Sequence, residues 1–269
     1  MSLLRLIHPA PALTVVTLAA ALGAILSSQA GLQVPSAALV LTTLSVAGSQ
    51  ILTGALNDWA DRARDARVQP SKPIPAGSVS ATSALWLAGI GAAVQVATSA
   101  ALGWQALVLG LVASVSAVAY NLWLSRTPWS VAPYLVSFGI LPLWVATGVG
   151  VSLERVAVAP LLVGPFAAAA HLANTLRDFD ADAELGSRNL AQVLGRGRTL
   201  AAAWGLAAGV GLGVGAALLA GGQAPPAALA LGGLGLLAII QGVAGPRRLW
   251  GGMLVAALCW TIAWALSTG

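Results

Sequence analysis

Nearly all of the acidic side chains of this chain lie in two short stretches. Of its eight Asp and Glu residues, three fall in residues 57–65, four fall in residues 177–184, and only Glu154 lies elsewhere. Only 8% of the 269 residues are charged, so carboxylates gathered in this way indicate a site that binds something positive.

The first stretch carries Asn57, Asp58, Asp61 and Asp65. Positions four residues apart share one face of a helix, so Asn57, Asp61 and Asp65 are predicted to project together, with Asp58 beside them. Their like charges repel, and a cation is needed to neutralise them. Magnesium fits, because it prefers oxygen ligands and is commonly held by one or two carboxylates with substrate phosphates. The chain has only two His and one Cys, which argues against zinc.

The second stretch repeats the first at an offset of 117 residues, as Asn174, Asp178 and Asp182. Asp180 falls on the opposite helical face from Asp178, and we expect it to pair with Arg177. The residues alone leave another interpretation open, in which the aspartates only form ion pairs with nearby arginines at a solvated helix end. The repeated pattern favours the metal site. The arginines that could pair in this way are Arg62, Arg64, Arg67 and Arg177.

Basic residues near these stretches suit a substrate that carries phosphate. Arg67 and Lys72 flank the start of a segment with three prolines in residues 70–75, which predict a non-helical loop. Such a loop could fold over the first acidic stretch and bring a cation to a diphosphate. Arg126 is a further candidate, and each of these bases could instead only anchor a loop at the membrane surface. We expect His8 to be an interfacial or packing residue.

The elements that position these groups are predicted to be membrane helices. Only 8% of the residues are charged, whereas a soluble domain has about a quarter of its residues charged. The chain is also 58% hydrophobic. A spanning helix needs about 20 mostly apolar residues, and nine stretches meet this requirement. They cover about residues 10–30, 36–56, 80–101, 104–124, 130–150, 156–176, 199–220, 225–242 and 250–267.

The basic residues orient this arrangement, because Lys and Arg gather in cytoplasmic loops. With nine spans and a cytoplasmic N-terminus, twelve of the thirteen bases lie on the cytoplasmic side and only Arg155 lies outside. We therefore predict an all-α protein of the cytoplasmic membrane, with both acidic stretches at its cytoplasmic side.

The offset repeat also predicts the domain organisation. We expect one membrane domain over residues 1–269, made of two repeated four-helix blocks, about 10–124 and 130–242, and a last helix at about 250–267. The repeat predicts that the two acidic stretches face each other. Inverted or parallel repeats are common in transporters, so the symmetry alone does not identify a function.

Four segments of the chain resemble the UbiA family of intramembrane prenyltransferases. The run Asn57-Asp58-x-x-Asp61-x-x-x-Asp65 is similar to the family's first aspartate-rich motif, and Asp178-x-x-x-Asp182 to its second. Residues 71–77 resemble the family's Arg-Pro-Ile-Pro-x-Gly segment, with Lys72 in place of arginine, and residues 120–126 resemble the stretch after its fourth helix.

The resemblance implies a bundle of nine helices around a central cavity and a magnesium-dependent transfer of a prenyl group from a polyprenyl diphosphate. It implies that the acceptor is aromatic or lipid-like. The metal ligands it implies are Asn57, Asp58, Asp61, Asp65, Asp178 and Asp182; the catalytic residues are Asp61, Asp65, Asp178 and Asp182; the diphosphate-binding residues are Asn57, Arg67, Lys72, Arg126 and Asn174.

Three other functions share parts of this pattern. A terpene cyclase would ionise the same kind of diphosphate but quench the cation internally. A phosphoribosyl-lipid transferase would use similar motifs on a different donor. A transporter would bind a cation or solute and yield no chemical product.

Overall fold

The structure is a computed structural model that describes residues 2–222 and 224–267. Within these ranges the chain is helical and has no strand. We number the helices α1 to α12. They are α1 Ser2–Arg5, α2 Pro9–Gln29, α3 Ala37–Val68, α4 Ala81–Ala101, α5 Trp104–Leu122, α6 Ala132–Gly148, α7 Pro160–Thr175, α8 Phe179–Glu184, α9 Leu190–Leu194, α10 Arg196–Ala220, α11 Pro226–Ile240 and α12 Pro246–Ser267.

The described helices confirm an integral membrane protein of the all-α class. Eight of them, some extended by an adjoining turn, are long and apolar enough to cross a membrane, and α6 is a shorter apolar helix. Each predicted span overlaps one of these nine elements. Whether α6 crosses the bilayer, and which way the chain is oriented, stay predictions.

The tight turn that joins α4 to α5 depends on a glycine. Only Leu102 and Gly103 lie between the two helices, and Gly103 has φ of 113°. That backbone conformation is strained for any residue with a Cβ. Glycine therefore lets a two-residue connection reverse the chain.

α3 extends beyond its predicted membrane span, as the helical spacing of the first acidic stretch predicts, and this matters for the site. The predicted span ends near residue 56, but the helix continues unbroken to Val68. Its first turn is capped by Ser36, whose side chain accepts a hydrogen bond from the Leu39 backbone. The whole of the first acidic stretch therefore lies on one continuous helix.

The chain forms two compact units, of which the first comprises the residues up to Ser125 and residues 136–160. In this unit α3 and α4 approach backbone to backbone. A Cβ added at Gly48 would lie 2.6 Å from the Gln95 nitrogen, and one added at Gly91 would lie 2.5 Å from the Leu52 nitrogen. Small residues of this kind allow close helix packing in membranes, which here fixes the helix that carries the first acidic stretch.

The second unit comprises residues 126–135 and the residues from Leu161 onward. Its core contains many alanines of α7, α10 and α12 together with Trp260. The Trp260 indole nitrogen donates to the Gly232 carbonyl at 3.1 Å, and the ring lies edge-on to Phe166. The predicted division into two four-helix blocks and a last helix stays a prediction.

Candidate active site

The first acidic stretch presents its polar groups from the C-terminal third of α3. Asp58 and Asp65 are each only 3% exposed, and Asp61 is half-buried. The Asn57 amide donates to Asp61 at 3.4 Å, as expected for residues one turn apart. Buried carboxylates are costly unless they are paired, so their partners define the chemistry of this surface.

Lys72 supplies the cation for two of these carboxylates. Its Nζ donates to Asp65 Oδ2 at 2.7 Å and to Asp58 Oδ1 at 3.1 Å. Burial lowers the pKa of Lys72, but the hydrogen bond to Asp65 and the charge of Asp58 outweigh it, so this pKa lies above its ordinary value. The ammonium therefore stays charged at neutral pH.

The loop that carries Lys72 is non-helical, as its prolines predict. It runs from Gln69 to Ser80 and is closed by turn hydrogen bonds, among them Ser78 Oγ donating to the Pro73 carbonyl at 3.1 Å. The sequence suggested a loop that folds over the acidic stretch, and the structure shows Lys72 in contact with that stretch. Arg67 lies exposed in the last turn of α3.

The interpretation of His8 as an interfacial or packing residue is wrong. Its Nε2 lies 3.1 Å from Asp58 Oδ1, the same oxygen that accepts from Lys72. The contact joins residues 50 positions apart, so no local pattern predicts it. The sequence feature that could have indicated a role for His8 is its position directly before the first apolar run.

A second polar group reaches the first acidic stretch from α5. Asn57 Nδ2 lies 3.3 Å from the side-chain oxygen of Asn121, and the Asn121 amide donates to the Thr53 carbonyl at 2.8 Å. Asn121 is buried. These bonds hold Asn57 at a fixed position beside Asp61.

The second acidic stretch has a different local structure from the first. α7 ends at Thr175, Asp178 occupies the N-cap position of α8, and Asp182 lies within that short helix. The two acidic stretches therefore share their residue spacing but not a continuous helix. Asn174 lies on α7, where its side-chain oxygen accepts from Arg177 at 3.3 Å.

Within the second stretch only Asp182 is a buried carboxylate. Its Oδ2 accepts a hydrogen bond from Asn189 at 2.8 Å, and Asn189 also caps α9 by accepting from the Gln192 backbone. Asp178 is exposed. Sequence reasoning missed Asn189, although an asparagine three residues before a glutamine is a typical helix start.

Asp180 does not pair with Arg177 as predicted. It pairs with Arg196, whose Nη2 lies 2.5 Å from Asp180 Oδ1 and whose guanidinium stacks over the Phe179 ring. The first residue of α10 therefore provides the cation.

Arg126 lies in a 3₁₀ turn, and its carbonyl accepts from the Arg188 backbone at 3.1 Å.

The first acidic stretch fits a magnesium ion by the chemistry of its donors. Its ligands are carboxylate and amide oxygens, and a protein cation, the Lys72 ammonium, contacts two of them. In the described part of the chain, no three His, Cys, Asp or Glu side chains are grouped closely enough to hold a metal alone.

Comparison with known proteins gives a family for this arrangement. The model of the UbiA prenyltransferase family matches residues 13–251. The chain is similar to the digeranylgeranylglyceryl phosphate synthase of Natronomonas pharaonis, with 32% identity over 60% of each chain. It is also similar to the bacteriochlorophyll synthase 33 kDa chain of Rhodobacter capsulatus, with 33% identity over 54% of this chain and 51% of that one. The matched stretches thus span about half to three fifths of these relatives.

Solved structures share the fold over nearly the whole chain. A structure concerning digeranylgeranylglyceryl phosphate synthase superposes with a TM-score of 0.79 at 15% identity and covers 99% of this chain and 97% of that one. A UbiA homologue from Archaeoglobus fulgidus bound to DMAPP and Mg²⁺ superposes with a TM-score of 0.73 at 17% identity and covers 99% of both.

Proposed function

The chain belongs to the UbiA prenyltransferase family, and from that premise we propose that it transfers a prenyl group from a polyprenyl diphosphate to an acceptor in the membrane. The observation that carries this proposal is the group on α3, where the buried Asp58 and Asp65 share the Lys72 ammonium. The group combines carboxylates for a metal with a cation for a diphosphate.

The first acidic stretch and the bases beside it have separate roles in this proposal. Asn57, Asp58, Asp61 and Asp65 would hold magnesium, while Lys72, with Arg67 at the end of α3, would bind diphosphate oxygens. A lysine ammonium is a mobile point charge on a flexible stem. Its head group can therefore contact a phosphate oxygen while it stays beside these carboxylates.

The second acidic stretch would supply further oxygen ligands. We propose Asp178 and Asp182 as metal ligands and Asn174 as a diphosphate-binding residue, supported by the burial of Asp182 and its bond to Asn189. Arg126 is proposed as a further diphosphate-binding base. The four catalytic carboxylates of the proposal are Asp61, Asp65, Asp178 and Asp182.

The reaction follows from these groups. Bound magnesium would neutralise charge on the leaving diphosphate. Lys72, Arg67 and Arg126 are proposed to add positive charge to the diphosphate. The allylic C–O bond breaks, its electron pair leaves with the diphosphate, and an allylic carbocation remains. The acceptor's electron pair forms the new C–C or C–O bond, and the acceptor loses a proton. Apolar helices would exclude water that could quench the cation.

The donor and metal are supported by a structural neighbour, and the acceptor by chemistry. The Archaeoglobus fulgidus homologue is bound to DMAPP, a short allylic diphosphate, and Mg²⁺. The two relatives are named for different products, digeranylgeranylglyceryl phosphate and bacteriochlorophyll. We propose an aromatic or lipid-like acceptor, because a chain that is 58% hydrophobic offers an apolar setting for it.

The membrane and the side are also part of the proposal. The predicted topology places twelve of the thirteen bases on one side, which the positive-inside rule makes cytoplasmic. We therefore propose a cytoplasmic-membrane enzyme that takes its diphosphate donor from the cytoplasm.

A variant series in purified protein tests the function. Asp61→Ala and Asp178→Ala should abolish magnesium-dependent product formation while the protein stays folded in detergent. Glu154→Ala is the matched control, because Glu154 is an exposed carboxylate outside both stretches. Full activity in both aspartate variants would refute the proposal.

The same series separates other chemistries by their products. A cyclic hydrocarbon formed from the donor alone would indicate a cyclase. Product formed only from phosphoribosyl diphosphate would indicate a phosphoribosyl-lipid transferase. Ion or solute flux in proteoliposomes with no product would indicate a transporter. Each of these outcomes would contradict prenyl transfer.

A further inference from the structure

The segment before the first apolar helix docks directly onto the helix that carries the first acidic stretch. Leu6 is fully buried in a cluster with Ala55 and Leu56 of α3. A Cβ added at Gly54 would lie 2.9 Å from Ile7 Cα and 3.0 Å from the Ile7 carbonyl carbon. The backbone of Ile7 therefore crosses α3 at Gly54, one helical turn before Asp58.

His8 has a strained backbone at this crossing. It is the only non-glycine residue with positive φ in the described ranges, with φ of 49° and ψ of 70°. Left-handed conformations are costly for residues with a Cβ, and they concentrate where function requires them. His8 occupies the N-cap position of α2, but its side chain makes no capping hydrogen bond.

The His8 side chain contacts Asp58 instead. Nε2 lies 3.1 Å from Asp58 Oδ1, and Lys72 Nζ lies 3.1 Å from the same oxygen. Lys72 also donates to Asp65 at 2.7 Å. His8, Asp58, Lys72 and Asp65 thus form one continuous chain of contacts, which begins in the N-terminal segment and ends on α3.

We propose that His8 is a positioning residue for donor binding, an inference that rests on the proposed function. Its ring fixes the orientation of the Asp58 carboxylate, which in turn holds Lys72 where the diphosphate binds. The N-terminal segment, residues 2–8, is therefore part of the active site. Without His8, Asp58 loses one of the two groups that orient it, and Lys72 is held less well.

Direct binding of geranyl diphosphate with magnesium, followed by calorimetry in detergent, tests this role. His8→Gly removes the ring and suits the left-handed backbone, so the protein should fold with a Tm at or near the wild-type value. We expect its Kd for the probe to rise about tenfold, as loss of a hydrogen bond to a charged group predicts. His8→Gln retains a donor near the position of Nε2 and should recover most of the affinity. In turnover assays the loss should appear in the KM of the donor more than in kcat.

A second pair of variants tests the docking without altering any charge. Gly54→Ala should push the N-terminal segment away from α3 and weaken probe binding, because its new Cβ would contact Ile7 backbone. Gly89→Ala, on an exposed part of α4 with no atom within 4 Å of the added Cβ, should bind like the wild type.

The outcomes distinguish the two proposals. Wild-type protein that binds no probe would overturn the proposed function, and the role of His8 with it. If His8→Gly and Gly54→Ala both bind the probe as tightly as the wild type does, the role of His8 is overturned and the proposed function is not. Equal losses in His8→Gly and His8→Gln, with Gly54→Ala unaffected, would also contradict it.

Discussion

Lys72 gives the sharpest test of the first acidic stretch, because one ammonium contacts two carboxylates that are each only 3% exposed. Lys72→Met leaves both charges without that cation. Removing one partner of a buried ion pair costs about 3–5 kcal/mol. Lys72 is 20% exposed and Asp58 retains His8, so we expect a cost below that range, of about 2 kcal/mol. In a protein of this size that is a fall in Tm of roughly 4–8 °C.

The measurement is thermal unfolding in detergent, followed by tryptophan fluorescence with and without magnesium chloride. Magnesium should recover part of the lost Tm in Lys72→Met, because a divalent cation can neutralise the same carboxylates. Lys72→Arg keeps the charge and should stay close to the wild type. Arg247→Met is the control for removing an exposed cation elsewhere. An unchanged Tm in Lys72→Met without magnesium, or an equal magnesium effect on all four proteins, would refute the reasoning.

The pH dependence of this stabilisation follows from the direction of the pKa shift. The pKa of Lys72 is raised above its ordinary value of 10.5. A raised pKa contributes stability that is complete below the ordinary value and lost only as pH rises through the higher one. The difference in Tm between wild type and Lys72→Met should therefore be constant from about pH 7 to pH 9. A difference that vanishes within that window would contradict the assignment.

Three further predictions concern other parts of the chain. Asn189→Ala removes the donor to the buried Asp182 and should lower stability by about 1–2 kcal/mol and reduce turnover, as measured by Tm and product formation. Asp180→Asn should leave turnover intact, because Asp180 is 81% exposed and pairs with Arg196 at the surface; a large loss would show that it has a catalytic part. Gly103→Ala should lower the Tm, since its φ of 113° costs about 1–3 kcal/mol with a Cβ; a Tm equal to that of Gly89→Ala would contradict this.

The helical class and the positions of the apolar helices were predictable, because bilayer thickness imposes about 20 apolar residues on each span. For α3 the apolar run predicts only the membrane span, which ends near residue 56, whereas the spacing of Asn57, Asp61 and Asp65 predicts helical turns beyond it. Nothing before Pro70 forces the helix to stop. The charged turns therefore continue it, and the spacing of Asn57 and Asp61 gives the hydrogen bond that an i, i+4 pair predicts.

In the second acidic stretch, the repeated spacing does not predict where the helices end and begin. Residues 174–182 contain no proline or glycine to mark a break, yet α7 ends at Thr175 and a new helix begins after Asp178. The partners of buried carboxylates were the other unpredictable feature. His8 and Asp58 are 50 residues apart, and only the docking of Ile7 against Gly54 brings them together.

Product formation by purified protein, with geranyl diphosphate and longer polyprenyl diphosphates as donors, tests the central claim most directly. Each donor is paired with aromatic and lipid-like acceptors, with and without magnesium, and products are identified by mass spectrometry. We predict a prenylated acceptor with release of diphosphate, formed only with magnesium and lost in Asp61→Ala. The absence of any prenylated acceptor across the panel, or equal product formation without magnesium, would contradict the account.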